Sequence, residues 1–330
     1  MKKLLGIFLA STMLALTACG GGATAPTNTN KSAETEDKIF KIGIVQLIEH
    51  PALDATRDGF IKSLEDNDVK VEIDYVSAQG DIAVARTISE KFVADKVDLI
   101  FAIATSAAEA AVGTDTDIPI LFSAVTDPVA AHLVESNEKP GANVTGTSDI
   151  VDIKGQLEIF KQIDPDINTI GIVYSADEAN SLAQLEIVEA AAPELGLNVE
   201  SVSIQNISDL PQAAQSLAVK VDGVYMLSDN KIASSVSLLA DILAERKIPS
   251  VCAEEALVNG GGLIANGISY FEIGEQTGVM AKKILVDKTS PSDIPVEQAK
   301  NISKLVNSET IEKLGLDANL DVFKDAKIVE

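Results

Sequence analysis

Two series of short, β-branched apolar runs alternate with helical stretches along this chain, and the second series repeats landmarks of the first. The run Ile-Gly-Ile-Val at residues 42–45 returns at 170–173, and Ile118-Pro119 returns as Ile248-Pro249. Runs that are apolar throughout are typical of strands buried on both faces of a parallel sheet. The repeated order therefore predicts an α/β protein with two similar lobes, each built on a parallel sheet, rather than one large sheet.

The rest of the chain is divided between these lobes. Residues 39–147 are predicted to form the first lobe and residues 148–270 the second. Part of 271–330 is expected to return and complete the first lobe, and it is available to the second as well. The segments 141–149 and 267–270 are the expected crossings between lobes, and several crossings would make a multi-strand hinge.

The first residues have the pattern of a secretory signal peptide. Lys2 and Lys3 precede an apolar run at 4–16 that is short for a permanent membrane span, and small residues lead to Cys19. This pattern resembles a bacterial lipobox, which implies a signal peptide at 1–18 and lipid on Cys19. Residues 19–38 lack apolar periodicity and are expected to be a flexible, lipid-anchored linker. The alternative is an ordinary signal peptide that contains a cysteine; on either view the protein is extracytoplasmic.

The charge of the chain limits its partners. The formal net charge is −24, and removal of Lys2 and Lys3 with the signal peptide would make it −26. Such a chain is a poor candidate for binding nucleic acid or for electrostatic binding to anionic lipid. If Cys19 carries lipid, Cys252 has no partner for an intramolecular disulfide, and its apolar surroundings predict a buried thiol.

Polar residues follow the predicted strands, at the edge where ligands bind in open parallel sheets. They are Gln46, Thr105, Ser106 with Ala107, Thr126, Asp127, Ser148, Glu178, Asn180, Ser181, Asp229 and Asn230. Helix capping explains any one of them equally well, because Ser, Thr, Asp and Asn are the usual capping residues. Since all of the strand ends are polar and two lobes are expected to face each other, the set as a whole favours a polar cleft.

Five short motifs carry a resemblance to a known family. The motifs Gln-Leu-Ile-Glu-His-Pro-Ala-Leu-Asp (46–54), Ala-Thr-Ser-Ala-Ala (104–108), Ser-Ala-Val-Thr-Asp-Pro (123–128), Gly-Thr-Ser-Asp (146–149) and Asn180-Ser181 resemble those of ABC-transporter substrate-binding lipoproteins of the tryptophan/tyrosine uptake type. The resemblance runs from residue 39 to about 316. It implies a type I periplasmic-binding-protein fold, in which two Rossmann-like lobes close on a ligand. It also implies delivery of the ligand to a membrane permease driven by a cytoplasmic ATPase.

An amino acid suits these residues chemically, and the family resemblance implies that it is an aromatic one. The free N–H groups at the start of the helix at Thr105-Ser106-Ala107, with two hydroxyls, can bind a carboxylate without any arginine. Asp127 is the first choice to pair with the ammonium group, and Asp229 and Glu178 are the other choices. Tyr270 is the nearest aromatic residue not expected in a core.

Two alternatives stay open, a sugar-binding protein on the same fold and an enzyme with its active site in the cleft. Sugars favour flat aromatic faces and planar charged donors, and the chain has no tryptophan and three arginines. His50 and His132 are its two histidines, and no nucleophile-elbow, His-Glu-x-x-His or Cys-x-x-Cys motif occurs. We therefore expect no catalytic residue, no cofactor and no metal ligand, and a protein that acts as a monomer.

Overall fold

The computed structural model of the protein describes residues 38–330. The predicted signal peptide, Cys19 and all but the last residue of the predicted linker lie outside these described residues. Within them the strands are β1 (Phe40–Gln46), β2 (Val71–Ser77), β3 (Leu99–Ile103), β4 (Ile120–Val125), β5 (Val144–Ser148), β6 (Thr169–Ser175), β7 (Asn198–Ile204), β8 (Gly223–Met226), β9 (Ser250–Cys252), β10 (Ile264–Ile268), β11 (Glu297–Gln298), β12 (Ile302–Asn307) and β13 (Lys327–Val329).

The strands form two sheets of matching order. The first sheet has the order β2-β1-β3-β4-β5-β11 and the second β7-β6-β8-β9-β10-β12-β13. The first five positions of each sheet have the same topology, which is what the repeated landmarks in the sequence predict. Two α/β lobes with mainly parallel sheets are present, so the predicted fold class is confirmed.

The second sheet departs from the parallel pattern at one pair. Strand β12 runs antiparallel to β10, with Ile268 opposite Ile302. The chain leaves this sheet at the carboxyl end of β10 and re-enters it with β12 at that same end of the strands. Because the chain leaves and re-enters at the same end of the strands, β12 runs in the opposite direction to β10.

Helices cover the two sheets. They are α1 (Pro51–Asp66), α2 (Ile82–Asp95), α3 (Thr105–Val112), α4 (Ile153–Ile163), α5 (Ala179–Ala191), α6 (Leu210–Leu217), α7 (Asn230–Ala233), α8 (Val236–Glu245), α9 (Glu255–Asn259), α10 (Tyr270–Leu285) and α11 (Ser308–Leu314). Several begin where the sequence places a capping side chain. The carboxylate of Asp81 accepts from the backbone N–H groups of Ala83 and Val84 at the start of α2, for example.

The chain crosses between the lobes three times. The crossings follow β5, β10 and β11, so that α10 and β11 belong to the first lobe and β12, α11 and β13 to the second. The third crossing, at residues 299–301, has no counterpart among the expected junctions. Three parallel connections of a few residues each give the geometry of a hinge.

The first lobe has an unusually close pair of helices. A Cβ atom on Gly59 of α1 would lie 2.0 Å from the carbonyl oxygen of Phe271, and one on Gly274 of α10 would lie 2.1 Å from the carbonyl oxygen of Thr56. Only glycine allows the two backbones to approach this far. Under these helices Phe60 stacks on Phe101, with ring centroids 4.0 Å apart, in the core of the lobe. The two helices therefore form one rigid unit whose first residues reach the space between the lobes.

Within residues 38–330, none of the helices combines the length and the apolar character that a membrane crossing requires. In the same part of the chain, His, Cys, Asp and Glu side chains form no group of three or more that could hold a metal ion.

Candidate functional site

A cavity lies between the lobes, at the carboxyl ends of the strands. It is narrow in this structure, and the volume open to the centre of a water-sized sphere is about 10 Å³. Its lining residues are His50, Ala52, Leu53, Ala124, Asp149, Asn180, Ser228, Asp229, Asn230, Ala233, Glu254 and Tyr270. Both lobes and two of the three crossings contribute, so the cavity exists only in the arrangement seen here.

The predicted site residues divide into three groups. Asn180, Asp229, Asn230 and Tyr270 line the cavity. A second group is buried at strand ends and helix starts without lining it: Gln46, Thr105, Ser106, Ala107, Thr126, Ser148, Glu178 and Ser181. Asp127 belongs to neither group, because it is half-buried in the loop after β4.

Six buried polar atoms without a partner lie near strand ends or helix starts, and three of them belong to residues that line the cavity. The six atoms are Gln46 Oε1, His50 Nδ1, Thr105 Oγ1, Ser106 Oγ, Asp149 Oδ1 and Asn180 Oδ1. In the described part of the chain, Asn137 Oδ1 is the one further buried side-chain atom in this condition. Native proteins satisfy nearly all buried polar groups with protein, water or ligand partners. The three such atoms in the cavity lining therefore point to a polar ligand.

The start of α3 is suited to an anion. No side chain caps this helix, and its first N–H groups have no partner within the helix. The hydroxyls of Thr105 and Ser106 are buried beside them without a hydrogen bond. Ala104, which precedes the helix, has a φ of 84°, a strained value for alanine. The helix contacts α5 of the other lobe, so α3 lies at the interface between the lobes.

Asp149 supplies a free carboxylate oxygen at the first crossing. Its Oδ2 accepts a 2.6 Å hydrogen bond from the hydroxyl of Tyr270, while Oδ1 is buried without a partner. Burial raises the pKa of the Asp149 carboxyl, and hydrogen bonding with the side chains of Tyr270 and Thr126 opposes this shift without cancelling it. A cationic group in the cavity would pair with this oxygen and stabilise the ionised form.

Asp127, the expected partner of an ammonium group, is half-buried in the loop after β4 and is not among the residues that line the cavity. Its Oδ1 accepts from the backbone N–H groups of Val129 and Ala130, at 3.0 and 2.9 Å. The carboxylate thus caps the turn after β4 and does not line the cavity. The capping explanation, which is equally open for this residue on sequence alone, accounts for what the structure shows.

Asp229 lines the cavity with oxygens that are already bonded. Oδ2 accepts from the backbone N–H of Ser175 at 2.6 Å and from the hydroxyl of Ser181 at 2.7 Å. Oδ1 accepts from the hydroxyl of Ser175 and the N–H of Ile232. These four donors all belong to the second lobe. Asp229 therefore organises strand ends within that lobe, and Ser181 has a role in the same network.

Glu178 and Asn230 form a second network that reaches across the cleft. Glu178 Oε2 accepts from the N–H of Asn230 at 3.1 Å and from its side-chain Nδ2 at 2.6 Å. Burial, followed by the charge of Asp229, raises the pKa of Glu178 to about 7. On its other side, Asn230 Oδ1 lies 3.2 Å from Nε2 of His50 in the first lobe.

Four polar cavity residues are not among the predicted site residues: His50, Asp149, Ser228 and Glu254. Glu254 lies two residues after the end of β9, so its position near a strand end is a signal that the sequence contains. It caps α9 by accepting from the N–H of Ala256 at 2.5 Å, and burial raises its pKa to about 8. Asp149 directly follows β5.

The charge of the cavity lining is one-sided. Asp149, Asp229 and Glu254 are acidic, and no lysine or arginine is among the lining residues. Burying several carboxylates together is costly unless they are protonated or paired with a cation. The cavity therefore fits a ligand with a positive group, and the start of α3, which is buried outside the cavity lining, fits a negative group.

Comparisons with known proteins agree on one family. The profile of the ABC transporter substrate binding protein family matches residues 41–330. A tyrosine-binding protein of Clostridioides difficile (strain R20291) is 40% identical over 323 residues, which are 96% of this chain and 93% of the relative.

Two solved structures also match. A Streptococcus ABC domain in complex with L-Trp has a TM-score of 0.84 at 33% identity, covering 89% of this chain and all of that one. A ligand-free, open substrate-binding protein with adhesive properties from Clostridium difficile has a TM-score of 0.68 at 42% identity, covering 88% of this chain and 99% of that one. The less similar sequence gives the better superposition. The lobes of the present structure are therefore arranged more like those of the ligand-bound protein.

Proposed function

The chain belongs to the ABC transporter substrate-binding protein family, and from this premise we propose that it captures an aromatic amino acid between its lobes. The three unpartnered buried polar atoms in the lining of an acidic interlobe cavity carry the proposal. The amino acid's carboxylate binds at the start of α3, and its ammonium group pairs with Asp149. Asp149 replaces Asp127 in this role because one of its oxygens is free and lines the cavity.

An aromatic side chain is supported by the relatives. One is named as tyrosine-binding and the other was solved with L-Trp. Three alanines, Ala52, Ala124 and Ala233, line the cavity together with Leu53 and Tyr270, so its apolar part consists of small side chains and one aromatic ring. A sugar is disfavoured because these contacts provide one aromatic ring and no arginine.

We further propose that the protein works outside the cytoplasm, anchored by lipid on Cys19, and delivers its ligand to an ABC permease. The lipobox-like pattern before Cys19 supports the anchor, and family membership supports the permease. A fatty-acid probe supplied to cells should label the protein and should not label Cys19→Ala. Labelling of both would contradict lipid attachment at Cys19.

Calorimetry with the purified protein tests the ligand. L-Tyrosine and L-tryptophan should bind, and L-alanine and glucose should bind at least about a hundredfold more weakly, a difference of about 2.7 kcal/mol. Small-angle scattering on the same samples should give a smaller radius of gyration with L-tyrosine than without it. Equal binding of glucose, or no binding of either aromatic amino acid, would contradict the proposal.

A further inference from the structure

His50 joins the first lobe to the second through its imidazole ring. The residue lies between β1 and α1 and is buried, with its ring in the cavity lining. Nε2 lies 3.2 Å from Oδ1 of Asn230, which belongs to the other lobe. Nδ1 is buried and has no partner.

The network beyond Asn230 determines which ring nitrogen carries the proton. Asn230 Nδ2 donates to Glu178 Oε2 at 2.6 Å, which turns the amide oxygen toward His50. An amide oxygen only accepts, so the proton of the imidazole has to be on Nε2. Burial lowers the pKa of His50 and outweighs the opposite effects of Asn230, Asp54 and Asp229, so the ring is neutral. Nδ1 then presents a lone pair and accepts hydrogen bonds.

Two other free acceptors line the same cavity. Asp149 Oδ1 comes from the first crossing, and Asn180 Oδ1 from the second lobe. The amide of Asn180 is fixed because its Nδ2 donates to the carbonyl of Ser228 at 2.8 Å. Together with His50 Nδ1 these make three acceptors, and none of the buried unpartnered side-chain atoms in the cavity lining is a donor. A primary ammonium group has three N–H donors.

We propose that His50 Nδ1, Asp149 Oδ1 and Asn180 Oδ1 together accept the three N–H groups of the ligand's primary ammonium. In this arrangement Asn230 and Glu178 are positioning residues, because they hold His50 in the tautomer that accepts. The acceptors come from both lobes and a crossing, so the set is complete only in the closed arrangement. The inference rests on the proposed function, since it concerns the ammonium group of a bound amino acid.

Nitrogen NMR distinguishes the two neutral tautomers of the His50 imidazole directly. The chain contains two histidines, His50 and the exposed His132, so the ¹⁵N-histidine spectrum is simple and His132 is an internal reference. With L-tyrosine bound, His50 should show a protonated Nε2 and an unprotonated Nδ1. Asn230→Ala should weaken this preference and leave the signals of His132 unchanged. A protonated Nδ1 in the L-tyrosine complex would overturn the proposal.

A second test pairs a change in the ligand with a change in the protein. N-methyl-L-tyrosine keeps the charge and loses one N–H donor, and it should bind the wild type about tenfold more weakly than L-tyrosine. In His50→Ala one acceptor is already missing, so methylation should cost about threefold or less. An equal loss of affinity on N-methylation in the wild type and in His50→Ala would contradict the assignment of His50 as an acceptor for the ammonium group.

Kinetics separate positioning from general damage to the fold. Asn230→Ala should raise the dissociation rate of L-tyrosine about fivefold and change the association rate less, because the contact forms after the lobes meet. Asn198→Ala, at the opposite end of the second sheet, is the matched control and should change neither rate.

If L-tyrosine and L-tryptophan fail to bind the wild type, the proposed function and this inference both fall. If L-tyrosine binds and the ring is an imidazolium, only this inference falls.

Discussion

The hydroxyl of Tyr270 donates to Oδ2 of Asp149 at 2.6 Å, and the pair joins two of the three crossings between the lobes. Asp149 stands where the chain first leaves the six-stranded sheet, and Tyr270 begins α10 where the chain returns. The bond leaves the second carboxylate oxygen of Asp149 free toward the cavity. Ligand recognition and the hinge thus share one carboxylate.

Asp149→Asn should therefore weaken the binding of L-tyrosine by at least about tenfold, or about 1.4 kcal/mol. The asparagine can still accept from Tyr270, and it removes the charge that pairs with the ammonium. Calorimetry measures the loss. Asp127→Asn is the matched control, because its side chain can keep capping the turn, and its affinity should stay within about twofold of the wild type. A larger loss of affinity for L-tyrosine in Asp127→Asn than in Asp149→Asn would refute the assignment of Asp149 as the partner of the ammonium group.

The carboxylate half of the ligand is tested at the start of α3. Thr105→Val and Ser106→Ala each remove one unpartnered hydroxyl, and each should lower the affinity for L-tyrosine about three- to tenfold. Tyramine lacks the carboxylate and should bind both variants as it binds the wild type. Thr114→Val is a control near the end of the same helix, where the hydroxyl donates to the carbonyl of Ala111. A loss for tyramine equal to that for L-tyrosine would argue for a structural role of the two hydroxyls.

Buried carboxylates should make the ligand-free protein less stable as the pH rises. Glu254 has a pKa raised to about 8 and Glu178 one raised to about 7, so the folded protein binds more protons than the unfolded chain between about pH 4.5 and 8. Stability should fall across this interval and level off above it. Glu254→Gln keeps an oxygen for capping α9 and should flatten the dependence of the melting temperature on pH. Glu200→Gln, at an exposed position, should keep the wild-type slope; a flattening by both variants would count against Glu254 as the cause.

Close packing of α1 on α10 should make glycine essential at the contact. Gly274→Ala places a methyl group against the backbone of Thr56, and we expect a loss of about 1–3 kcal/mol in the free energy of unfolding. This loss would oppose the gain in helix propensity that alanine normally brings. Urea unfolding measures it. Gly113→Ala, at the exposed end of α3 with a φ of −62°, is the control and should cost far less. Equal losses in the free energy of unfolding for the two variants would show that α1 and α10 can move apart to accommodate a methyl group.

The pattern of apolar residues in the sequence is sufficient to predict the architecture of two α/β lobes. The continuous apolar runs gave the central strands, and the repeated Ile-Gly-Ile-Val gave the two matching sheets. Strand β11 could not be found this way, because two residues, Glu297 and Gln298, carry no pattern. The third crossing, which β11 precedes, was missed for the same reason.

The site was less predictable than the fold because sequence does not show which oxygens are already bonded. Asp127, Asp149 and Asp229 all follow strands and look alike in the sequence. In the structure, Asp127 caps a turn, Asp229 is fully bonded within its lobe, and Asp149 keeps one free oxygen. These differences arise from contacts between distant segments, such as the one between Asp149 and Tyr270.

The three crossings also set an order for folding during synthesis. The first lobe lacks α10 and β11 until nearly all of the second lobe has been made, and the second lobe lacks β12, α11 and β13 until the chain is almost finished. A ribosome therefore releases two partial sheets whose open edges are closed only by the last segments to emerge. Domains that are contiguous in sequence can fold one after another as they appear. Here the two lobes have to finish folding together.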